Sequence, residues 1–278
     1  MSALPGRARD HRITGEQAAL RRVATLVARA APPGEVFAAV TAEAGRLLHA
    51  HHATMVQYGP DGALTLVAAH DPAAIGVRFP SGGRTVSMLV FETGRPARLD
   101  DYADASGPAV DTARKWDLRS VAGAPVSVEG RLWGAMFASS RREPLPADTE
   151  ARLAGFTELV ATAIANAQAR MELRGFADEQ AALRRVATLV ARAAPPGEVF
   201  AAVTAEAGRL LHAHHATMVQ YGPDGAVRVA AWSSTSAAVV PPVGARVSLG
   251  GRNVATLVFQ TGQPARIDDY AGASGPAA

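Results

Sequence analysis

EQAALRRVATLVARAAPPGEVFAAVTAEAGRLLHAHHATMVQYGPDGA, residues 16–63, occurs twice: the same letters return without a substitution at residues 179–226. The unit is far longer than the periods of solenoids and propellers, so what repeats is domain-sized. A length of 278 residues agrees, corresponding to about two domains. Within the stretch, Leu20, Val23 and Val27 form a narrow stripe on a helix opened by a Thr14–Gln17 capping-box pattern. So narrow a stripe suits a partner helix. Pro32-Pro33-Gly34 stops it, and a second helix carries Val36, Phe37, Val40, Ala44, Leu47 and Leu48 on a wider face that covers a core. Residues 53–58 read as a strand, Asp61-Gly62 as a hairpin turn and residues 64–69 as the returning strand.

Downstream of the first copy, residues 70–84 read as a long irregular loop with Pro72, Pro80 and Gly82-Gly83. A short helix follows, bearing Val86, Leu89 and Val90, with Gly94 as its C-cap. Residues 97–100 fit a short strand, and Pro108 suits the first turn of a helix running to about Trp116. Strands over 119–128 and 131–140 meet at Glu129-Gly130, and Pro144 and Pro146 end the sheet. Asp148 and Glu150 open a long helix, favourably placed on its dipole, with Leu153, Phe156, Val160, Ile164 and Ala167 as its stripe. The order predicts an α+β layered domain with a mainly antiparallel sheet. Gly175 is the one strong breaker before the second copy, and its cost of about 1 kcal/mol is small enough to expect a nearly continuous helix over 148–193.

These readings divide the chain into a disordered leader (1–15), a complete domain (16–168), a helical connector (169–178) and an incomplete second domain (179–278). The second copy regains the pattern at Thr261-Gly-Gln-Pro-Ala-Arg-Ile-Asp-Asp-Tyr270, after a segment five residues longer than in the first. The sequence holds no counterpart of the second hairpin or the exit helix, so residues 179–278 are expected to be marginal alone, with open edges and bare apolar faces. The chain is expected to be a fragment.

Composition removes several classes of function. The charge is +3, with Lys115 the only lysine and acids interleaved among the arginines. Tracking phosphates needs positive charge on one face, so nucleic acid is not an expected partner. The absence of cysteine excludes disulfides, thiolate metal sites, thioether-linked chromophores and Cys nucleophiles. No signal peptide opens the chain and no apolar run approaches the ~20 residues of a membrane helix, so a cytoplasmic location is expected and no membrane contact. His49, His51 and His52, repeated at 212, 214 and 215, are the one metal candidate. A structural zinc site wants four ligands and no further ligand motif stands nearby, so no metal is expected. Ser81-Gly-Gly-Arg84 and Leu249-Gly-Gly-Arg252 lack a P-loop lysine and read as ordinary loops.

Five segments carry a family resemblance: residues 18–29, Thr93-Gly-Arg-Pro-Ala-Arg-Leu-Asp-Asp-Tyr102, Arg119-Ser-Val-Ala-Gly-Ala-Pro125, Glu129-Gly-Arg-Leu-Trp-Gly134 and residues 156–166. Together they resemble a GAF domain, in wording close to the tandem GAF input regions of bacterial two-component sensor histidine kinases. The resemblance implies a GAF/PAS-like antiparallel sheet flanked by helices, duplicated here, with a long helical connector. The first and last helices would pack on one face, and residues 70–116 would roof a small-molecule pocket on the other. It implies a homodimer through entry and exit helices and a kinase output domain that reads an unknown small molecule. Family position and strand geometry put Tyr58, His70, Asp101, Tyr102, Trp116, Arg119, Ser120 and Phe137 around that pocket. Asp100 and Asp101 also read as a strand end and a cap.

Some GAF domains hold haem through a histidine, and His70 at the pocket mouth is the candidate; the second copy places Trp232 there. Cyclic-nucleotide signatures of the family need a lysine that is not in place, and its bilin-binding and reductase members need cysteine. No cofactor and no catalysis are expected. Alternatives are a phosphatase or diguanylate cyclase output, or a structural dimerisation spacer without ligand.

Overall fold

The computed structural model describes residues 5–108, 110–223, 226–234 and 242–275. It falls into two units, Met1–Met171 and Glu172–Ala278. The first contains helices α1 (Pro5–Ala28) and α2 (Pro33–Leu47), strands β1 (His52–Tyr58), β2 (Leu64–Ala69) and β3 (Arg78–Phe79), and helix α3 (Val86–Thr93). Strand β4 (Ala97–Leu99), helix α4 (Val110–Lys115), the hairpin β5 (Ser120–Val128) and β6 (Arg131–Ser140), and the start of α5 (Thr149–Ala191) complete it. The strands form one antiparallel sheet in the order β3-β2-β1-β6-β5-β4. Glu129 and Gly130 both have positive φ, 51° and 77°, as a two-residue hairpin turn matched to strand twist requires.

Each strand sends alternate residues to opposite faces, and both faces are buried. Met55, Ala122, Ala124, Met136 and Ala138 join Val23, Val36, Val40, Leu153, Phe156 and Val160 under α1, α2 and α5. Val56, Tyr58, Val121, Ala135 and Phe137 join Leu64, Leu66, Val86, Val90 and Leu99 under the short elements of the roof. Register shifts twice: Met55 pairs with Ala68 and Val56 with Leu66, which leaves Val67 as a bulge, and Val126 pairs with Gly134 and Ser127 with Leu132, which leaves out Trp133. Glu43 accepts from Arg22 Nε (2.7 Å) and Arg46 Nη2 (2.6 Å), tying α1 to α2.

Two expectations need correction. Residues 5–15 belong to α1 and are not a disordered leader; the helix runs through Gly15, whose cost of about 1 kcal/mol is offset by the many Arg and Ala residues that favour a helix. Thr14 therefore lies inside the helix, whereas a cap needs non-helical backbone. The segment 70–84 is less irregular than expected, since it holds a 3-10 turn (Pro72–Ala74) and the edge strand β3. Helix α5 runs through Gly175 unbroken, from the first unit into the second.

The second unit adds α6 (Pro196–Leu210), β7 (His215–Tyr221), β8 (Ala226–Ser234), β9 (Arg246–Ser248) and α7 (Val254–Thr261), with strand order β7-β8-β9. The longer segment of this copy includes residues 235–241, outside the described residues. Identical sequence gives identical local structure: α6 repeats α2, β7 repeats β1, and Glu206 is again held between Arg185 and Arg209. Burial does not repeat. Leu48 is 1% exposed and its counterpart Leu211 76%; Phe37 is 7% exposed and Phe200 36%.

The same side chain should therefore be worth different amounts in the two copies. Phe37→Ala is expected to cost about 3–5 kcal/mol, the range for a buried Phe, and Phe200→Ala less than half of that. Urea unfolding of the full chain measures both; equal losses would mean that Phe200 is packed as Phe37 is.

Candidate functional site

Between the sheet and its roof lies a cavity of about 100 Å³. Sheet residues Thr54, Val56, Leu64, Leu66, Val121, Phe137 and Ser139 floor it; Phe79, Val86, Ser87, Tyr102, Ala113, Trp116 and Leu118 close it. It is smaller than the ~150 Å³ of an engineered apolar cavity that binds benzene and well below the ~300–1,000 Å³ of drug-sized pockets.

Local sequence explains the roof. Thr85 caps α3 by accepting from the Met88 N–H (3.3 Å), and Gly94 ends it with φ 63°. Gly83 and Gly107 let two loops cross: a Cβ on Gly83 would fall 2.0 Å from the Ser106 carbonyl oxygen, and both have positive φ. The crossing is locked by Arg84 N–H donating to Ser106 Oγ (3.1 Å) and Ser106 N–H donating to the Arg84 carbonyl (3.1 Å). Ser81-Gly-Gly-Arg84 is thus the joint that holds α3 against the approach to α4. On the floor, a Cβ at Gly123 would lie 2.5 Å from the Phe137 ring; its absence lets that ring lie over β5.

The lining carries no charge. Burial pushes the Tyr102 hydroxyl up to about 12, with the Val86 backbone opposing. Behind the cavity, Tyr58 is also pushed up by burial, donates to the Ser87 carbonyl (2.8 Å) and packs on Phe91. His52 stands on the Thr54 side of β1, its ring stacked on Trp116 (centroids 5.9 Å apart), and its buried Nε2 has no partner. Desolvation first, then Arg141, His70 and His51, lower its pKa below 6.5. Burial thus favours the neutral form of the imidazole behind the cavity wall.

Of the eight expected lining residues, Tyr102, Trp116 and Phe137 meet at the cavity, and Tyr58 is buried in the same roof cluster. Asp101 and Arg119 lie in a separate groove of about 440 Å³ with Arg114, Asp117 and Arg141, which shares Tyr102 and Leu118 with the cavity wall. Asp101 caps the turn after β4 by accepting from the Ala103 N–H (2.9 Å). Ser120 shares strand phase with Ala122 and Ala124, away from the roof, and accepts from the Leu145 N–H (3.3 Å). His70 lines a groove beside α2 with Thr41, Arg46 and His51. The cause is the bulge: uninterrupted alternation from Leu64 and Leu66 would aim His70 at the roof, and the extra residue turns it away. This position does not fit an axial haem ligand in the cavity. The copies also align differently from the expectation: Trp232 pairs with Thr217 as Ala69 pairs with Thr54, so Ser233 is the counterpart of His70. Among the described residues no group of three or more His, Asp or Glu is placed to hold a metal ion, and no helix is long and apolar enough to cross a membrane.

A lowered imidazole pKa has a definite sign. The unfolded chain takes up the proton first as pH falls, so the native state is favoured fully above 6.5 and progressively less below it. His52→Gln is expected to flatten the loss of melting temperature between pH 7 and 5. A slope unchanged by the substitution would show that His52 is not the group responsible.

Comparison with known proteins bears on the whole arrangement. A family model for the GAF domain matches residues 32–167. The fold is similar to a bacteriophytochrome from the photosynthetic bacterium R. palustris (TM-score 0.61, 13% identity, 82% of this chain and 50% of that one). It is similar also to the Stigmatella aurantiaca phytochrome photosensory core module (TM-score 0.56, 14% identity, 82% and 50%). The GAF domain of a Coxiella burnetii phosphoenolpyruvate-protein phosphotransferase matches at 20% identity over 57% of this chain and 96% of that one, with a TM-score of 0.47. This chain spans half the length of the two phytochrome structures. No curated protein matches it significantly. With its six-stranded antiparallel sheet, its helices on one face and its roofed cavity on the other, the segment 32–167 is a GAF domain.

Proposed function

We propose that this GAF domain is a signal-input module that takes a small, uncharged, largely apolar ligand into the roof cavity. Occupancy is passed along α5 to an output domain, most simply the kinase of a two-component sensor, with the second copy completing a tandem input region in the cytoplasm. The observation that carries the reading is the position of Arg98. Its neighbour Leu99 is buried in the roof cluster, while the Arg98 guanidinium grips the start of α5. Nη1 pairs with Glu150 (3.0 Å) and donates to the Pro146 carbonyl (3.3 Å); Nη2 donates to the Leu145 carbonyl (2.5 Å). A displacement of the roof thus has a direct route to the N-terminus of the exit helix. Transmission is then a shift in population between two arrangements of that contact.

Homodimerisation through the helices belongs to the same reading. Phe176, Leu183 and Val190 recur every seven residues on α5 and are 62%, 57% and 60% exposed, the spacing of a coiled-coil seam. No catalytic step is assigned to this chain.

Pyrrole and 1-propanol, both smaller than benzene, are suitable first probes. A ligand at a hundred times its Kd stabilises by about 2.7 kcal/mol, so the melting temperature should rise, and Ala113→Phe, which fills the cavity, should abolish the rise. Arg98→Ala should keep the thermal response but remove any ligand effect on hydrogen exchange at residues 149–156. If no small neutral molecule moves the melting temperature, the module is a dimerisation spacer.

A further inference from the structure

The groove beside α2 in the first unit is separate from the roof cavity and has a volume of about 430 Å³, within the ~300–1,000 Å³ of small-molecule sites. Four polar residues line it: Thr41 and Arg46 from α2, His51 just before β1 and His70 just after β2. The rest of the lining is alanine and glycine, and no carboxylate takes part.

The local hydrogen bonds leave donors unused. His51 Nδ1 accepts from the Arg141 N–H (3.3 Å), so the neutral ring carries its proton on Nε2, at the other edge. Arg46 spends Nε and Nη2 on Glu43 (3.2 and 2.6 Å), and its Nη1 has no partner among the described residues. Thr41 is only 4% exposed, and its Oγ1 has no hydrogen-bond partner among the described residues. Thr25, Thr93 and Thr162 each donate to the carbonyl four residues back on their helices. Thr41 does not, although a buried hydroxyl left unbonded costs stability.

Two histidines suggest a cation, but a guanidinium in the same lining repels one, and no carboxylate there balances it. The set suits an anion instead, with guanidinium, imidazole and hydroxyl donors supplied from three segments of the chain. A carboxylate offers two oxygens and a phosphate group at least three, which matches donors from three sides. The C-terminal end of α2 would disfavour an anion through its dipole. There, however, Arg152 donates to the Leu47 carbonyl (3.1 Å) and Arg46 stands in the last turn. We propose that this groove is a second ligand site, independent of the roof cavity, that binds a phosphate group, free or on a small phosphomonoester. The alanine-lined remainder of the groove takes the organic part of an ester.

Inorganic phosphate and glycerol phosphate, titrated calorimetrically into the full chain at neutral pH and fixed ionic strength, test this, with acetate as the comparison. One saturable site per chain is expected, tighter for the free ion or for the ester according to which the groove serves, and acetate should bind at least about tenfold more weakly. Thr41→Val keeps the shape and removes the hydroxyl. It should weaken phosphate binding about tenfold, the worth of one hydrogen bond to a charged group, without lowering the melting temperature of the ligand-free chain. His70→Ala, at an exposed position, should weaken binding by a similar factor, and Ser233 at that place in the second copy makes the variant specific to the first. Arg46→Gln also releases Glu43, so the Thr41 and His70 variants carry the decision. The absence of saturable binding by either phosphate compound overturns the proposal. So does binding that acetate matches, or that both variants leave unchanged.

Discussion

The first unit depends on one constraint: its sheet is apolar on both faces, and neither face can be left to water. Met55 and Val56, adjacent on the central strand β1, point to opposite sides and are both buried. The long helices α1, α2 and α5 solve one side with continuous stripes that pack as protein interiors do. The other side is covered by α3, α4, β4 and the loops between them, pieces too short to present such stripes. The cavity lies on that side and no deeper explanation is needed for its position: it is the space that a roof built of fragments leaves over a floor of Phe137, Val121 and Leu66.

The two sides are also held differently. The helical side is held by buried side chains and by the Arg22–Glu43–Arg46 cluster. The roof is held by Val86, Val90 and Leu99, buried against the sheet, and by two glycines at a crossing, a Thr cap and a few backbone hydrogen bonds. Arg98 is the residue that belongs to both, standing on a roof strand with its guanidinium against Glu150 and the Leu145 carbonyl at the start of α5.

Much of the fold was legible because its elements keep their period. The stripe of α2, the hairpin at Glu129-Gly130 and the alternation of β5 and β6 all stand in the sequence as they stand in space. The site was less so. One bulged residue, Val67, turns His70 from the roof to the α2 side, and nothing in a run of LTLVAA announces a bulge. Ser120 differs from Val121 by a single step of strand phase, which reverses its face. His52 reads as part of a metal-like cluster, and only the contact of its ring with Trp116 places it behind the cavity wall. Tyr102, Trp116 and Phe137 were accessible because large aromatic residues near strand and helix ends on the roof side have few other places to go.

The verbatim repeat has a consequence for how the molecule comes to be folded. Strand β6 lies about equally far along the chain from β1 and from β7, so loop-closure entropy scarcely distinguishes two edges with the same seven residues. Translation does distinguish them, because β1 emerges before the hairpin and β7 after it, and domains settle as units from the N-terminus. A chain diluted from denaturant offers both edges to the hairpin at once. Synthesis from the N-terminus thus gives β1 the β5–β6 hairpin before an identical strand exists to compete for it.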